Sequence, residues 1–255
     1  MSHNPQVSTV RVRGATLEED ILSDLQIAGR GIYSFGRAAE IVGVSPQSLR
    51  QWTLGRRAPS GSASARPLVR LDILELEGEH VLSFLNLVEV KLLSEFRRLN
   101  LPLQYIRQVV DVLEQSYDMT HPLACRRLQT DGRSIFAEID ESGQFACVEI
   151  AGRRPNHVVF DEVIRPLFKV IDFVGSQELA RRWYPLGRDG GVVVDPAIAF
   201  GEPVLQASGV PTRALARQVS VAGDSVDAVA QWFELPKDAV ETAMTFESGL
   251  RTKAA

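Results

Sequence analysis

The chain has 255 residues, of which 45% are hydrophobic and 24% are charged. This composition is typical of a globular protein and excludes wholesale disorder, a collagen and a coiled-coil rod. The longest apolar stretches fall short of the roughly 20 residues that a membrane-spanning helix needs, and the first residues contain no apolar block of the kind found in a secretory signal. Two cysteines without zinc-site spacing cannot form a disulfide framework. We therefore expect a cytoplasmic protein without membrane contact, metal or other cofactor.

Charge is distributed unevenly along the chain, although its formal net value is only −4. From Arg30 to Arg70 there are seven arginines and a single acidic residue, Glu40, whereas the remainder of the chain is acidic. A short basic module on an acidic body is typical of a protein that contacts nucleic-acid phosphates. An arginine-rich surface patch without function would leave the same pattern, so charge alone keeps both interpretations open.

The N-terminal part begins with a polar arm, residues 1–30, in which apolar residues at helical spacing predict a helix over 16–27. A second helix is predicted over 35–42. Ser34 can cap its first turn, and Gly43 can end it because glycine adopts the left-handed conformation without strain.

A further helix is predicted after only two residues. Ser45 and Pro46 are a typical N-cap and first-turn residue, and Leu49 and Trp52, three residues apart, would pack against the preceding helix. Two short helices joined by such a tight turn predict a helix-turn-helix motif. The alternative is a pair of packed helices without a DNA-binding function.

The second helix of such a motif enters the major groove, where Gln47, Ser48 and Gln51 can bond to base edges. The arginines can pair with phosphates, and the basic loop at 53–67, which ends near Arg66, is interpreted as a wing or as a flexible surface loop. The residues predicted to contact DNA are Ser34, Arg37, Ser45, Gln47, Ser48, Arg50, Gln51, Arg56 and Arg57.

Two long helices are predicted next, over 81–99 and 102–117. The segments YSFGRAAEIVGVSPQSLRQW and LLSEFRRLNLPLQYIRQVVDVL, with the arginine-bearing loop between them, resemble the winged helix-turn-helix domain of MerR-type regulators. The resemblance implies a DNA-binding domain at 31–130. We expect a homodimer, with its two heads about one DNA turn apart on a palindromic operator.

The middle of the chain, residues 131–186, is predicted to connect this domain to a C-terminal one. Alternating residues at 133–140 and 144–150 predict a β-hairpin around a Glu-Ser-Gly turn. A helix is predicted to begin at Asp161 and to include Ile171.

Residues 187–255 are predicted to form a small three-helix domain with a short β-hairpin. Its helices begin at Thr212, Ser225 and Pro236. The outer surface is acidic, because residues 224–247 contain six carboxylates and one lysine. Such a surface repels phosphates and favours protein binding over DNA binding.

The C-terminal segment also resembles a small domain found in antitoxins of the VapB type. The matching elements are Asp195-Pro196, Phe200-Gly201-x-Pro203, Gly209-Val210-Pro211-Thr212, Ala222-Gly223-x-Ser225 and Trp232-Phe233. The resemblance implies a partner, a PIN-like ribonuclease toxin that the protein holds inactive. The residues expected at that contact are Trp183, Asp195, Phe200, Pro203, Pro211, Arg213, Arg217, Trp232 and Phe233. For the three aromatic residues Trp183, Trp232 and Phe233, a place in the core is the alternative.

The sequence as a whole predicts a mainly α protein of the α+β class and a non-enzymatic function. The expected function is an antitoxin that neutralises its toxin and represses its own operator. The alternative is a stand-alone MerR-like regulator whose C-terminal half binds a small ligand. An enzyme is disfavoured, because the neighbouring His121 and Cys125 have no further ligand nearby in the sequence and Asp195-Pro196 is better explained as the opening of a turn.

Overall fold

The computed structural model describes residues 10–12, 30–55, 66–117, 119–126, 128–130, 135–138, 147–151, 165–175 and 178–254. The helix predicted at 16–27, the Glu-Ser-Gly hairpin turn and Asp161 lie outside these ranges. In chain order the N-terminal elements are β1 (Val10–Val12), β2 (Tyr33–Ser34), α1 (Phe35–Val42), α2 (Pro46–Leu54), β3 (Ile73–Leu76), β4 (Val81–Leu82), α3 (Phe84–Arg98) and α4 (Leu103–Tyr117). Those that follow are β5 (Leu128–Thr130), β6 (Ile135–Glu138), β7 (Cys147–Ala151), α5 (Arg165–Lys169), β8 (Ile171–Val174), β9 (Leu179–Trp183), β10 (Val192–Val193), β11 (Val204–Leu205), α6 (Thr212–Ser220), α7 (Val226–Trp232) and α8 (Lys237–Ala254).

The helix-turn-helix motif predicted between residues 33 and 52 is present as α1 and α2. Ser34 caps α1 by accepting a hydrogen bond from the backbone N–H of Arg37, and Ser45 caps α2 in the same way. Gly43 ends α1 with φ of 77°, in the left-handed region that glycine tolerates. These local signals set both helix ends, and therefore the angle at which α2 is held.

A β-hairpin follows the motif, later in the chain than the wing that the sequence predicted. β3 and β4 are joined by a tight turn in which Glu77 and Gly78 both have positive φ, as in a type I′ turn. β3 pairs with β1 and β4 pairs with β2, both antiparallel. The helix predicted to start at residue 81 instead begins at Phe84, because Ser83 caps it and the two residues before Ser83 belong to β4.

The second half contains short antiparallel pairs. β5, β6 and β7 form a three-stranded sheet, and the pairing of β6 with β7 confirms the predicted hairpin. β8 and β9 form a further hairpin where a helix was expected to continue, so the placement of Ile171 in that helix was wrong. β10 pairs with β11.

Most of the described chain is built around α3, and residues of both halves share its core. Seven apolar side chains of α3 are buried, namely Phe84, Leu87, Val88, Val90, Leu92, Leu93 and Phe96. The same core takes in residues of α1, α2 and α4 and, from the second half, Ile171, Trp183, Val192, Val194, Phe246 and Leu250. A smaller core of Leu205, Leu215, Val229, Ala230, Val240 and Ala243 joins α6, α7 and α8. Burial of apolar side chains is the main stabilising term of such contacts.

Backbone contacts also cross residues 187–191, the glycine-rich segment with which the C-terminal domain was predicted to begin. Trp183 and Val194 exchange two hydrogen bonds, of 3.0 and 2.8 Å, on either side of it. The segment Gly187–Gly191 is therefore a loop between paired strands. No helix in the described ranges is both long and apolar enough to cross a bilayer.

Candidate nucleic-acid interface and partner surface

Helix α2 has one buried and one exposed face. Leu49 is fully buried and Trp52 is almost so, as the sequence predicted, while Gln47 and Gln51 are exposed. At 3.6 residues per turn, Gln47 and Gln51 lie one turn apart on the side opposite Leu49. Two amide groups, each with donors and an acceptor, are thus aligned on the outer face in the manner that base-edge contact requires.

The serines around this face serve mainly to build it. The Ser45 hydroxyl oxygen accepts a bond from the backbone N–H of Ser48 at 3.1 Å, and the Ser45 hydroxyl donates to Ser48 Oγ at 2.9 Å. Ser34 is likewise occupied as the cap of α1. These groups satisfy backbone donors that a helix start would otherwise leave unpaired, so their direct role is to fix the helix ends.

Arg50 lies on the flank of the same face. It is exposed, and its guanidinium carbon lies 5.2 Å from the centre of the Phe35 ring, a cation–π distance. The Phe35 ring in turn lies 6.2 Å from that of His80. This stack holds an exposed cation next to the two glutamines, where a phosphate of bound DNA is expected.

Arg37, in contrast, lies inside the protein and is only 5% exposed. Its two terminal nitrogens donate to the Glu247 carboxylate of α8 at 2.7 and 2.9 Å, and its Nε donates to Glu202 at 3.0 Å. Glu40 lies at 3.2 Å from the same guanidinium. The expectation that Arg37 contacts phosphate was wrong, because three carboxylates already enclose its charge.

This buried ion pair also sets the protonation of its members. Burial by itself would raise the pKa of Glu247, but hydrogen bonds from Arg37 and from the Thr212 hydroxyl outweigh it and lower that pKa. Thr212 Oγ1 donates to Glu247 at 2.6 Å and stands at the start of α6. The network therefore connects the first helix of the motif to two helices of the C-terminal segment.

The basic loop contributes less to the described interface than the sequence predicted. Arg56 and Arg57 lie outside the described residues, and the exposed Arg66 pairs with Asp111 of α4 at 2.9 Å. The β3–β4 turn is acidic, with Glu77 and Glu79 at its tip. Carboxylates there disfavour phosphate contact, so among the described residues the outer face of α2 is the best candidate for contact with DNA.

The residues expected at a toxin contact divide into an interior and an exposed group. Trp183 is 4% exposed, Asp195 is 2% exposed and Pro203 is buried. Asp195 forms an ion pair with Arg182 and accepts a bond from the backbone N–H of Ala197. Direct contact of these three residues with a partner was wrongly expected, because their side chains stabilise the fold from within.

The remaining expected contact residues are available at the surface. Phe200 is 66% exposed and Trp232 is 60% exposed. The other members are the exposed Phe233, Arg213 and Arg217 and the half-buried Pro211. For Trp232 and Phe233 the alternative of a core position does not hold.

The loop at 195–202 fastens the C-terminal segment to the head, a contact that sequence reasoning missed. Tyr33 Oη donates to the carbonyl of Gly201 at 2.7 Å, and the backbone N–H of Ile32 donates to the carbonyl of Phe200 at 2.9 Å. Gly201 has φ of +86°, and a Cβ there would lie 2.2 Å from Tyr33 Oη. The glycine of the Phe200-Gly201-x-Pro203 element is thus required by close packing.

A second buried ionic cluster joins α3 to the segment before the β3–β4 hairpin. His121 lies 3.2 Å from Asp72 and 3.3 Å from Glu89. Burial lowers the pKa of His121, but hydrogen bonds and charge interactions with both carboxylates outweigh this and raise it to about 10. His121 is therefore a protonated structural residue, and Cys125 near it in sequence is buried. Among the described residues, no group of three or more His, Cys, Asp or Glu side chains could hold a metal ion.

Helices α1 and α2 form a helix-turn-helix, and residues 31–110 match the protein family described as "Putative DNA-binding HTH domain". The chain is 29% identical over 210 residues to the "Putative antitoxin VapB45" of Mycobacterium tuberculosis, a match that covers 76% of this chain and 87% of that protein. The crystal structure of Rv2018 from Mycobacterium tuberculosis has a TM-score of 0.56 and 22% identity, covering 83% of this chain and 96% of that one. The protein is thus antitoxin-like in sequence, and the solved structure supports the fold.

Proposed function

We propose that this protein is an antitoxin that binds operator DNA through α2 and holds a PIN-like ribonuclease inactive through its C-terminal segment. The observation that carries the proposal is the exposed pair Gln47 and Gln51 on a helix whose start is fixed by the Ser45 cap. The similarity of the chain to an antitoxin supports the second activity.

On DNA, the side-chain amides of Gln47 and Gln51 fit the paired donor and acceptor of an adenine edge in the major groove. Arg50 neutralises a phosphate next to them. In a homodimer the two α2 helices read half-sites about 34 Å apart. Occupation of such a site in the promoter represses transcription of the protein's own gene.

The DNA activity is tested by titrating the DNA upstream of the gene at several salt concentrations. Gln47→Ala and Gln51→Ala are each expected to cost about 1–3 kcal/mol of discrimination against altered operators. Arg50→Ala is expected to lower the salt slope by about one unit, while Arg188→Ala, an exposed arginine of the second half, leaves it unchanged. If the three α2 variants titrate like the parent protein, as the Arg188→Ala control does, α2 is not the DNA-binding element.

The antitoxin activity is tested with the product of the adjacent reading frame. The proposal expects a ribonuclease that co-purifies with this protein and cleaves RNA only when freed from it. Inhibition requires no chemistry from this chain, since covering the RNA-binding surface of the nuclease is sufficient. An adjacent product that is no ribonuclease, or one that remains active in the complex, contradicts the proposal.

One feature favours the second candidate, a regulator that responds to a small ligand. A cleft of about 1100 Å³ lies between the turn of the motif, α3 and α8, and Ser48, Trp183 and Phe246 are among its lining residues. A ligand there would contact α2 directly. Operator affinity that changes with a metabolite in the absence of any protein partner would support this alternative.

A further inference from the structure

The C-terminal end of α6 exposes an apolar surface that the rest of the chain leaves uncovered. Val221, which directly follows α6, is 73% exposed, the largest exposed fraction among the large hydrophobic residues that the structure describes. It lies at a shallow pocket of about 400 Å³, which is lined by Ala214, Arg217, Gln218, Val221, Ala222 and Phe233. We call this pocket and its lining the α6 patch. Exposed apolar groups that cluster in this way are typical of protein-binding surfaces.

The α6 patch has a fixed backbone. The backbone N–H of Asp224 returns to the carbonyl of Gln218 at 3.4 Å, across Gly223 with its φ of +81°, as in a Schellman motif. The Asp224 carboxylate also accepts a bond from Gln218 Nε2 at 2.8 Å. Val221 lies within this closed turn, so its side chain is presented to solvent by an ordered helix end.

Charges of opposite sign lie on the two sides of Val221. By the helical period, Ala214 and Val221 follow one line along α6. Arg217 lies on one side of that line, and Gln218 lies on the other side with Asp224 bonded to it. Arg217 is exposed and the Asp224 carboxylate is bonded to an uncharged amide, so both charges are available to a partner.

These features make the α6 patch complementary to itself. A contact between two copies related by a two-fold axis brings the same surface of each copy together, so each pair of residues occurs twice. With the axis at Val221, the guanidinium of Arg217 faces the Asp224 carboxylate of the second copy, and the converse pair forms on the other side. The two Val221 side chains meet at the centre, next to the Phe233 rings. Charge and shape therefore match without a different kind of protein.

We infer that a second copy of this chain docks on the α6 patch through such a two-fold contact. The inference rests on one part of the proposed function, the two copies on one operator, and adds the surface that joins them. Arg217 and Phe233, which were expected at a toxin contact, belong to this contact between copies.

The small size of the α6 patch determines how the contact acts. It consists of one helix end and a single side chain from the end of α7, and contacts below about 1,200 Å² are typically weak and transient. We therefore expect a dissociation constant in the micromolar range. Two copies on neighbouring half-sites raise each other's effective concentration, so the contact makes operator binding cooperative. Because charge pairs contribute, self-association weakens as salt is added.

The first test measures self-association of the full-length protein by sedimentation, from micromolar to hundreds of micromolar concentration. The parent protein is expected to pass from monomer to dimer over this range. Val221→Glu is expected to weaken association by about tenfold or more, because two like charges then meet at the axis. Val174→Glu, at a 45% exposed apolar position outside the patch, is the matched control and is expected to associate like the parent.

Charge reversal tests the two-fold geometry. Arg217→Glu alone sets carboxylates against each other in both halves of the contact, and Asp224→Arg alone does the same with guanidinium groups. Each variant by itself is therefore expected to stay mostly monomeric at concentrations where the parent is half dimeric. An equimolar mixture of the two variants restores both pairs of opposite charge and is expected to associate nearly as the parent does. A purely structural role of these residues would give no such rescue, since each chain in the mixture keeps its own substitution.

The outcomes separate this inference from the proposed function. A parent protein that stays monomeric at hundreds of micromolar, or a dimer that survives Val221→Glu, overturns the inference and leaves operator binding and nuclease inhibition untouched. Failure of the mixture to associate overturns the pairing of Arg217 with Asp224. If Val221→Glu associates like the parent but no longer binds the product of the adjacent reading frame, the patch belongs to that partner instead.

The proposed function has its own point of failure. If the parent protein binds neither operator DNA nor the product of the adjacent reading frame, the proposed function fails, while sedimentation still decides whether the α6 patch joins two copies. Unchanged urea midpoints show that each variant is folded.

Discussion

Replacing Arg37 by methionine removes the guanidinium that joins α1 to α8 and keeps most of its apolar volume. Glu247, which is 6% exposed, would retain only its bond from Thr212. Removing one member of a buried pair costs about 3–5 kcal/mol, whereas the more exposed Glu202 and Glu40 can turn to solvent at little cost. We expect the free energy of unfolding to fall by about 3 kcal/mol, a large part of the 5–15 kcal/mol typical of a domain.

The loss of unfolding free energy in Arg37→Met should depend on pH. In the parent protein the lowered pKa of Glu247 contributes stability above its ordinary pKa, and that stability is lost as the pH falls through the lowered value. In Arg37→Met, burial without a cation raises the pKa of Glu247, so protonation relieves the penalty as the pH falls. The difference in the free energy of unfolding between the parent protein and Arg37→Met is therefore largest near neutral pH and becomes smaller towards pH 4.

Urea unfolding followed by tryptophan fluorescence measures this difference, since Trp52 and Trp183 both lie in the main core. Arg50→Met is the matched control, an exposed arginine on the next helix. It should change the free energy of unfolding by less than about 0.5 kcal/mol but lower the salt slope of DNA binding by about one unit. Arg37→Met should leave that slope unchanged. The reverse pattern, a stable Arg37→Met protein with a lowered slope, would refute the assignment of Arg37 as an internal residue.

Three further predictions concern the stability of the scaffold. Gly201→Ala should lower the free energy of unfolding by more than about 2 kcal/mol, because the added Cβ clashes with Tyr33 and φ is strained. Gly223→Ala, at φ of +81° with nothing within 4 Å, should lower it by about 1 kcal/mol. Equal urea midpoints for the two variants would contradict the packing argument. Ser45→Ala should cost about 1 kcal/mol by loss of the α2 cap, and an unchanged midpoint would show that the cap is dispensable. His121→Leu should lower the free energy of unfolding most below about pH 6.5, and this loss should shrink as the pH rises towards 10. The reason is that the histidine stabilises the folded protein only while it is protonated. A loss independent of pH would show that His121 is uncharged.

The parts of the fold that sequence predicted are those fixed by neighbouring residues. Ser34, Gly43 and Ser45 determine the ends of α1 and α2 through bonds that span three or four residues. The exposure of Gln47 and Gln51 then follows from the helical period. The start of α3 was missed because Val81 and Leu82 are as compatible with helix as with strand, and their pairing partners lie almost 50 residues away.

The candidate site was predicted less completely, because its ion pairs also join residues that lie far apart in the chain. Arg37 counts as a positive charge in any sequence window, but its partner Glu247 is 210 residues further along the chain. No local pattern distinguishes such a buried arginine from the exposed Arg50. Trp232 is the reverse case, because its apolar side chain left a core position open as the alternative but faces solvent.

Because both halves of the chain share the core around α3, proteolysis between them would affect both halves. If a protease cut within Gly187–Gly191 were followed by separation of the two halves, the head would lose Phe246, Leu250 and the carboxylate that neutralises Arg37. The remaining head would expose an apolar surface and a buried cation at once, and it would not persist as a separate DNA-binding fragment. Separation of the two halves would thus abolish both proposed activities, DNA binding and partner binding, together.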